Sequence, residues 1–261
     1  MRFPLRLNVD LAWNRFVRVF KGGSTIISHC SPAVLAASKE TDQEADVRES
    51  DFAVRTAADI LSRTAAPVFW IGRGEPLEHP AIGRIVLELN RAKRTTFLHT
   101  NGARLRQRIH EFHPDSRLYL TVELTGREVA HDAACAQVGA YRRIIEGVRA
   151  AKLSGFHVCA HVTVNENTDV CEAGELFEDL DRYDIDGFIV SSGGVAPSAA
   201  SAAAAAENLS ETRALIRSGP WENFSRLLEA SYAEPGEKAV STVSGGSAGA
   251  SSSAEAVEES A

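Results

Sequence analysis

The stretch VFWIGRGEPLEHPAIGRIVLELNRAKRTTFLHTNG, residues 68–102, decides the fold. It opens with an apolar run of β-branched and aromatic residues, VFWIG, which predicts a buried strand. Residues 79–93 predict a helix with one apolar face, made of Ile82, Ile85, Val86 and Leu89. TTFLHT, residues 95–100, predicts the next strand. A strand, a helix and a strand in this order predict parallel pairing through a right-handed crossover.

The same alternation continues outward through most of the chain. Further strands are predicted at 25–28, 118–124, 156–164 and 187–192, and further helices near 103–112, 138–154 and 172–182. This makes six strands with helices between them. Either an open doubly wound sheet or a barrel satisfies the pattern, and periodicity alone does not choose between them.

Three segments differ from this core. Within residues 1–24 the pattern over 7–20 predicts a basic amphipathic helix, which would either lie on a membrane surface or pack against the bottom of its own domain. Residues 198–207 form an alanine-rich insert, either a loose loop or a short helix. Residues 233–261 are rich in Ser, Ala, Gly and Glu and predict a disordered tail, because they lack apolar groups to bury.

Composition and charge exclude several classes of protein. The net charge of −7 gives no reason to expect nucleic-acid binding. The longest apolar runs are too short for a transmembrane helix, and the N-terminus lacks the pattern of a signal peptide. The four cysteines show neither a CxxC pair nor the spacing of a disulfide framework, and they are Cys30, Cys135, Cys159 and Cys171. A reducing, cytoplasmic location fits best.

Three of the cysteines and one His-Asp pair have ordinary structural interpretations. Cys159 alternates with apolar neighbours along a strand and is expected to be a buried core residue. Cys135 and Cys171 are expected in loops or at helix starts as free thiols. His131-Asp132 follows the fourth strand and either belongs to a functional site or makes a contact at a helix start.

The turn Arg73-Gly74-Glu75-Pro76 carries the first indication of function. It follows a strand and precedes a helix, and ligands of parallel α/β folds bind at such strand ends. Glycine lets the backbone approach a ligand closely, and a glutamate there can accept hydrogen bonds from an ammonium group. The alternative is an ordinary strand-to-helix turn in which Glu75 is an acidic residue at the helix N-terminus.

Four stretches, in chain order, resemble the core of the radical S-adenosylmethionine (SAM) superfamily. They read GRGEPLEHPAIGRIV, LHTNGARL, GAYRRIIEGVRAAKLSGFHVCAHVTVNEN and DIDGFIVSSG. The resemblance covers roughly 25–232 and implies a partial (β/α)6 TIM-like barrel. Among subfamilies, the chain resembles the hopanoid-biosynthesis type, adenosylhopane synthase, in its basic N-terminal helix, its motif spacing and the segment 221–232.

The resemblance implies two cofactors. In that superfamily a CxxxCxxC loop after the first strand holds a [4Fe–4S] cluster, and SAM chelates the iron that lacks a cysteine ligand. The matching positions here are Cys30, Val34 and Ala37, so only Cys30 is available as a metal ligand. The SAM-binding positions carried over by the motifs are Arg73, Gly74, Glu75, Pro76, Thr100, Asn101, Ser191 and Ser192.

Further positions depart from the family pattern. Arg73 replaces the first glycine of the GGEP motif, and its charge repels the SAM ammonium. His99 stands before Thr-Asn, where the hopanoid enzymes carry a cysteine. Together with Val34 and Ala37, these changes suggest a retained fold with a lost or altered activity.

Three function hypotheses follow. The first is a degenerate superfamily member without a cluster that acts as a binding or regulatory module. The alternative is an active radical SAM enzyme that cleaves SAM to a 5′-deoxyadenosyl radical for transfer to a lipid or hopanoid substrate. The third is a metal-free barrel enzyme that uses His99, Glu123 or His161 as acid or base. A small-molecule or lipid ligand and peripheral membrane contact are compatible with the first two.

Overall fold

The computed structural model describes residues 27–30, 45–72, 74–193, 198–216 and 219–233. Within these ranges six strands alternate with α-helices and two short 3-10 turns, Pro76–Glu78 and Ile109–Glu111. The strands are β1 (Ile27–Cys30), β2 (Val68–Ile71), β3 (Thr95–Thr100), β4 (Leu118–Leu124), β5 (His157–Val164) and β6 (Gly187–Ser192). The helices are α1 (Ala45–Arg63), α2 (Ile82–Arg91), α3 (Leu105–Arg108), α4 (Glu128–Ala134), α5 (Ala140–Leu153), α6 (Val170–Asp181), α7 (Ala199–Ala214) and α8 (Gly219–Ala233).

All six strands are parallel and pair in the order of the sequence, β1 to β6. A doubly wound sheet reverses its strand order at a switch point, whereas this sheet winds in one direction as a barrel does. The sheet curls into a half-barrel packed by helices, and the predicted partial (β/α)6 barrel is confirmed. The topology therefore settles the choice between open sheet and barrel that periodicity left open.

Three predicted strands, 95–100, 118–124 and 187–192, have the observed bounds, but several elements were predicted wrongly. β1 covers Ile27–Cys30 rather than 25–28. Helix α1 was not predicted at all, because the side chains that it buries include small ones, Ala53 and Ala57, which leave no strong apolar stripe. The helix predicted near 103–112 is one turn, α3, followed by a 3-10 turn.

The alanine-rich segment forms the start of a regular helix. Residues 199–207 belong to α7, whose first residue follows the cap Ser198, and the buried side chains of this helix lie further on. Helix α8 ends at Ala233, so residues 234–261 of the predicted tail lie outside the described residues. The predicted N-terminal helix over 7–20 also lies outside them. No helix in the described ranges is long and apolar enough to cross a membrane.

Aromatic side chains fill the lower part of the concave face of the sheet. Phe97 of β3 stacks on Tyr119 of β4 with ring centroids 4.8 Å apart. Phe224 of α8 stacks on the same Phe97 at 4.6 Å, and Trp70 of β2 lies 5.9 Å from Phe97. All four rings are buried. Helix α8 therefore packs into the half-barrel, where large rings contribute most of the apolar burial.

Helix α8 also covers the gap between the two edge strands. Its Ser225 accepts a hydrogen bond from the Val190 amide of β6 at 3.0 Å, and its Ser231 lies 2.8 Å from His29 of β1. Gly187 of β6 lies against the Trp221 ring, and a Cβ there would come within 2.1 Å of it. The missing side chain of Gly187 thus lets α8 approach the strand.

Candidate functional site

The carboxyl ends of the six parallel strands meet at one rim, because neighbouring strands run in the same direction. Glu75 connects two of these ends. Its Oε1 accepts hydrogen bonds from the Leu77 amide at 2.9 Å and the Thr100 hydroxyl at 2.7 Å. Its Oε2 accepts one from the Asn101 amide at 2.8 Å. The carboxylate therefore caps the 3-10 turn after β2 and ties that turn to the end of β3.

Both sequence-based interpretations of Glu75 are thus compatible with its position. It is a turn-capping acid, and it lies at the rim beside Thr100 and Asn101. Gly74, just before it, has a φ of 137°, which side-chain-bearing residues rarely adopt. The backbone conformation of the turn accordingly requires glycine at this position.

A chain of hydrogen bonds crosses the concave face beneath the rim. His99 Nε2 of β3 lies 2.9 Å from His161 Nδ1 of β5, and His161 Nε2 lies 2.7 Å from the Ser191 hydroxyl of β6. Trp70 stacks on His99 with ring centroids 5.1 Å apart and meets His161 edge-on at 5.6 Å. Three strands and an indole ring therefore hold the two imidazoles in fixed orientations.

Both imidazoles are neutral at physiological pH. Burial lowers the pKa of His99 from 6.5 to about 4. Burial, and then the neighbouring His99, lowers the pKa of His161 well below its usual range. Two adjacent buried rings cannot both carry charge without strong repulsion, so the pair exchanges hydrogen bonds as neutral groups.

Glu123, near the end of β4, lies beside this pair. Its Oε2 lies 3.9 Å from His99 Nε2, beyond hydrogen-bonding distance. Burial, and then the nearby Glu75 carboxylate, raises the pKa of Glu123. Because His99 is neutral, this contact is not an ion pair, and the rim near Glu75 and Glu123 carries negative charge.

The structure brings some of the predicted site residues together and leaves others apart. Thr100 and Asn101 contact Glu75, and Ser191 joins the imidazole chain. Ser192 is exposed, and as the next residue of β6 it lies on the other face of the strand from Ser191. Pro76 is buried in the capped turn.

Three predicted positions, Arg73, Val34 and Ala37, lie outside the described residues, as does the side chain of Cys30 at the end of β1. The cluster that the resemblance implies needs three thiolates, and the three matching positions include one cysteine. Elsewhere in the described ranges no group of three or more His, Cys, Asp or Glu side chains is arranged to hold a metal ion. The residues present do not fit a standard [4Fe–4S] cluster.

The other cysteines and the His-Asp pair have structural roles or surface positions. Cys159 is fully buried, as predicted, and Cys135 and Cys171 are free and exposed. Asp132 accepts hydrogen bonds from the amides of Gly139 and Tyr141 at the start of α5, and these amides lower its pKa. The contact at a helix start is thus the interpretation that the structure supports.

Sequence reasoning missed the link between His99, His161 and Ser191, and it gave no role to Trp70. His99 and His161 are 62 residues apart, and only the pairing of β3, β4 and β5 brings them together. One signal was present: each of two predicted strands carries a histidine, His99 or His161, among mainly apolar and β-branched residues.

No family model matches the sequence, and no curated protein matches it. Among solved structures, Streptococcus suis SuiB bound to precursor peptide SuiA matches with a TM-score of 0.50 and 14% identity, covering 69% of this chain and 43% of SuiB. TYW1 with a lysine-pyruvate adduct bound has a TM-score of 0.45 and 17% identity, covering 69% of each chain. Native anSMEcpe with bound AdoMet has a TM-score of 0.43 and 13% identity, covering 68% of this chain and 52% of its own.

These three structural neighbours are radical SAM enzymes. The chain spans less than half the length of SuiB, and at 14% identity the likeness shows the fold alone. The chain shares the α/β partial-barrel fold with SuiB.

Proposed function

We propose that this chain is a member of the radical SAM superfamily that has lost its cluster and acts as a binding module at the rim of the barrel. One observation carries the proposal. Cys30 ends β1, and Val34 and Ala37 stand in the sequence where the family supplies its second and third cysteines, while Glu75 keeps its contacts at the rim. A single thiolate does not hold a cubane cluster.

The other described cysteines do not complete the ligand set. Cys159 is buried within the sheet, and Cys171 is exposed at the start of α6, which packs outside the barrel. Cys135 is exposed, and partial desolvation, followed by the nearby Glu123 and Asp132 carboxylates, raises the pKa of its thiol, which disfavours the thiolate that iron requires.

The hydrogen bonds that the Glu75 carboxylate already accepts support weak SAM binding. A carboxylate oxygen accepts about two hydrogen bonds. Both acceptor directions of Oε1 are used, by Leu77 and Thr100, and Oε2 already accepts from Asn101. An incoming ammonium group competes for what remains, without the iron chelation that anchors SAM in the superfamily. The charge of Arg73 opposes it further.

Anaerobic reconstitution with iron and sulfide tests the loss of the cluster. We expect iron well below four atoms per chain and no EPR signal of a reduced cluster. The matched control is the double variant Val34→Cys/Ala37→Cys, which restores the CxxxCxxC spacing. If only the ligands are missing, this variant gains the absorbance of a cluster. A stable cluster in the unaltered chain, or its reductive production of 5′-deoxyadenosine, would overturn the proposal.

Calorimetry with SAM tests the second part. We expect weak binding to the cluster-free protein and tighter binding to Arg73→Gly, because the substitution removes a like charge. Micromolar affinity in the unaltered chain contradicts this expectation, and an unchanged affinity in Arg73→Gly removes that residue from the argument.

The substrate class and the location also belong to the proposal. The motif spacing supports a small molecule or a lipid of the hopanoid type, and three free cysteines support a reducing cytoplasm. The alternative, an active enzyme that transfers an adenosyl group to such a lipid, needs the cluster. The reconstitution experiment therefore decides between the two.

A further inference from the structure

The indole N–H of Trp70 is a buried donor without a hydrogen-bond partner among the described residues. Trp70 is 1% exposed and lies on the concave face. A buried tryptophan N–H usually finds an acceptor, since leaving one unsatisfied costs about 1–3 kcal/mol. The position of this nitrogen therefore points to an acceptor that binds from outside the protein.

Gly72 lies directly beside this donor and places no side chain between it and His99. A Cβ on Gly72 would lie 2.9 Å from Trp70 Nε1 and 3.3 Å from His99 Nδ1. Both nitrogens thus border the same space above the Gly72 backbone. The hydrogen bond from His99 to His161 uses Nε2 of His99. Its Nδ1 atom has no hydrogen-bond partner within the described ranges.

The buried hydrogen-bond chain determines which nitrogen of His99 carries the proton. The Ser191 hydroxyl has no acceptor other than His161 Nε2 among the described residues. If that hydroxyl donates to Nε2, His161 Nδ1 carries the proton and donates to His99 Nε2. The proton of neutral His99 then lies on Nδ1. This arrangement satisfies every member of the chain and presents a second N–H beside that of Trp70.

We propose that Trp70 Nε1–H and His99 Nδ1–H form a two-donor site that holds a neutral carbonyl oxygen of a small-molecule ligand above Gly72. Two neighbouring N–H groups can donate to the two lone pairs of one carbonyl oxygen. This site deepens the binding role proposed above and rests on the same rim.

Charge selects among oxygen ligands. The carboxylates of Glu75 and Glu123 lie near the rim, and each disfavours an anion. The neutral His99 offers no charge to attract one. An ammonium group has no acceptor at the two nitrogens once both carry protons. A carboxamide or ketone oxygen is consequently preferred over a carboxylate or an amine.

Nuclear magnetic resonance of protein labelled with 15N-tryptophan tests the site directly. The chain has three tryptophans, so the spectrum shows at most three indole signals, and Trp70→Phe assigns the relevant one. Acetamide is the probe, with acetate and methylammonium as comparison ligands. We expect acetamide to shift the Trp70 indole signal saturably while the Trp221 signal serves as an internal control. Acetate should bind about tenfold more weakly or worse.

Variants distinguish this site from a general solvent effect. His99→Leu removes the second donor and should weaken acetamide binding about tenfold, whereas His99→Gln keeps an N–H and should retain part of it. Gly72→Ala fills the space and should abolish the shift. Because its Cβ would press on Trp70, circular dichroism must show that this variant folds; if it does not, the two His99 variants decide.

The outcomes are separable. No shift with acetamide means that the space takes water only, and the inference is wrong. A stronger response to acetate or methylammonium overturns the ligand class, and a response unchanged in His99→Leu overturns the two-donor geometry. The experiment uses neither iron nor SAM, so its failure is independent of the cluster test.

Discussion

Glu75 should stabilise the fold through the three hydrogen bonds that its carboxylate accepts at the rim. Glu75→Ala removes the cap of the turn, at a cost of about 0.5–2 kcal/mol. It also leaves the buried Thr100 hydroxyl without its acceptor, at a cost of about 1–3 kcal/mol. Asn101 is exposed, so water replaces the third bond at little cost. The expected loss of unfolding free energy is about 3 kcal/mol.

Two further variants separate this effect from a general loss of charge. Glu75→Gln keeps an oxygen for Leu77 and Thr100 but turns an amide donor toward the Asn101 amide, so it should lose about 1 kcal/mol. Glu78→Ala removes an acid from the same turn whose ion pair with Arg104 is exposed, with 3.4 Å between the charged atoms. It should change stability by less than about 0.5 kcal/mol.

Urea denaturation followed by circular dichroism measures these differences as changes in midpoint at constant slope. The expected order of loss is Glu75→Ala, then Glu75→Gln, then Glu78→Ala. If Glu75→Ala matches Glu78→Ala within error, the carboxylate does not tie β2 to β3. Its acceptors would then be available to a ligand, and the argument for weak SAM binding would fail.

Three further predictions concern the core. Gly187→Ala places a Cβ against the α8 indole and should cost about 1–3 kcal/mol in urea, whereas Gly219→Ala, with open space around it, should be near neutral. The folded-state pKa of His99 is about 4 against 6.5 unfolded, so the unfolded chain binds the proton more readily as pH falls. The contribution of His99 to stability should fall by about 3 kcal/mol between pH 6.5 and 4, so the drop over this range should be smaller in His99→Phe than in the unaltered chain. An equal drop in the two proteins, measured by urea denaturation at each pH, would contradict this. Cys159 should react with a thiol reagent only after unfolding, as peptide mass spectrometry would show; labelling in the native protein would disprove its burial.

The order of elements was largely predictable from the sequence. Strands β3, β4 and β6 consist mainly of apolar and β-branched residues, and this composition predicts their bounds because buried parallel strands tolerate few polar residues. The missed helix α1 shows the limit of this reasoning. It buries small side chains such as Ala53 and Ala57, whose weak hydrophobicity gives no periodic signal.

The site was predictable only where local chemistry reveals it. The motif Arg73-Gly74-Glu75-Pro76 marks a strand-to-helix turn. The sequence alone also shows that Val34 and Ala37 stand where two of the three cysteines would be, beside Cys30. What the Glu75 carboxylate binds was not predictable, because its partners come from the end of the next strand.

Tertiary structure alone decided two features. Helix α8 packs into the half-barrel because Gly187 leaves room for an indole, a fit that no local pattern records. His99, His161 and Ser191 form one hydrogen-bond chain because parallel register brings three strand ends to one rim. The sequence by itself determined which segments become strands and which positions of the cluster motif lack a cysteine, since both depend on residue type. Which side chains meet depends on strand order and register, and these are set by the packing of the whole chain.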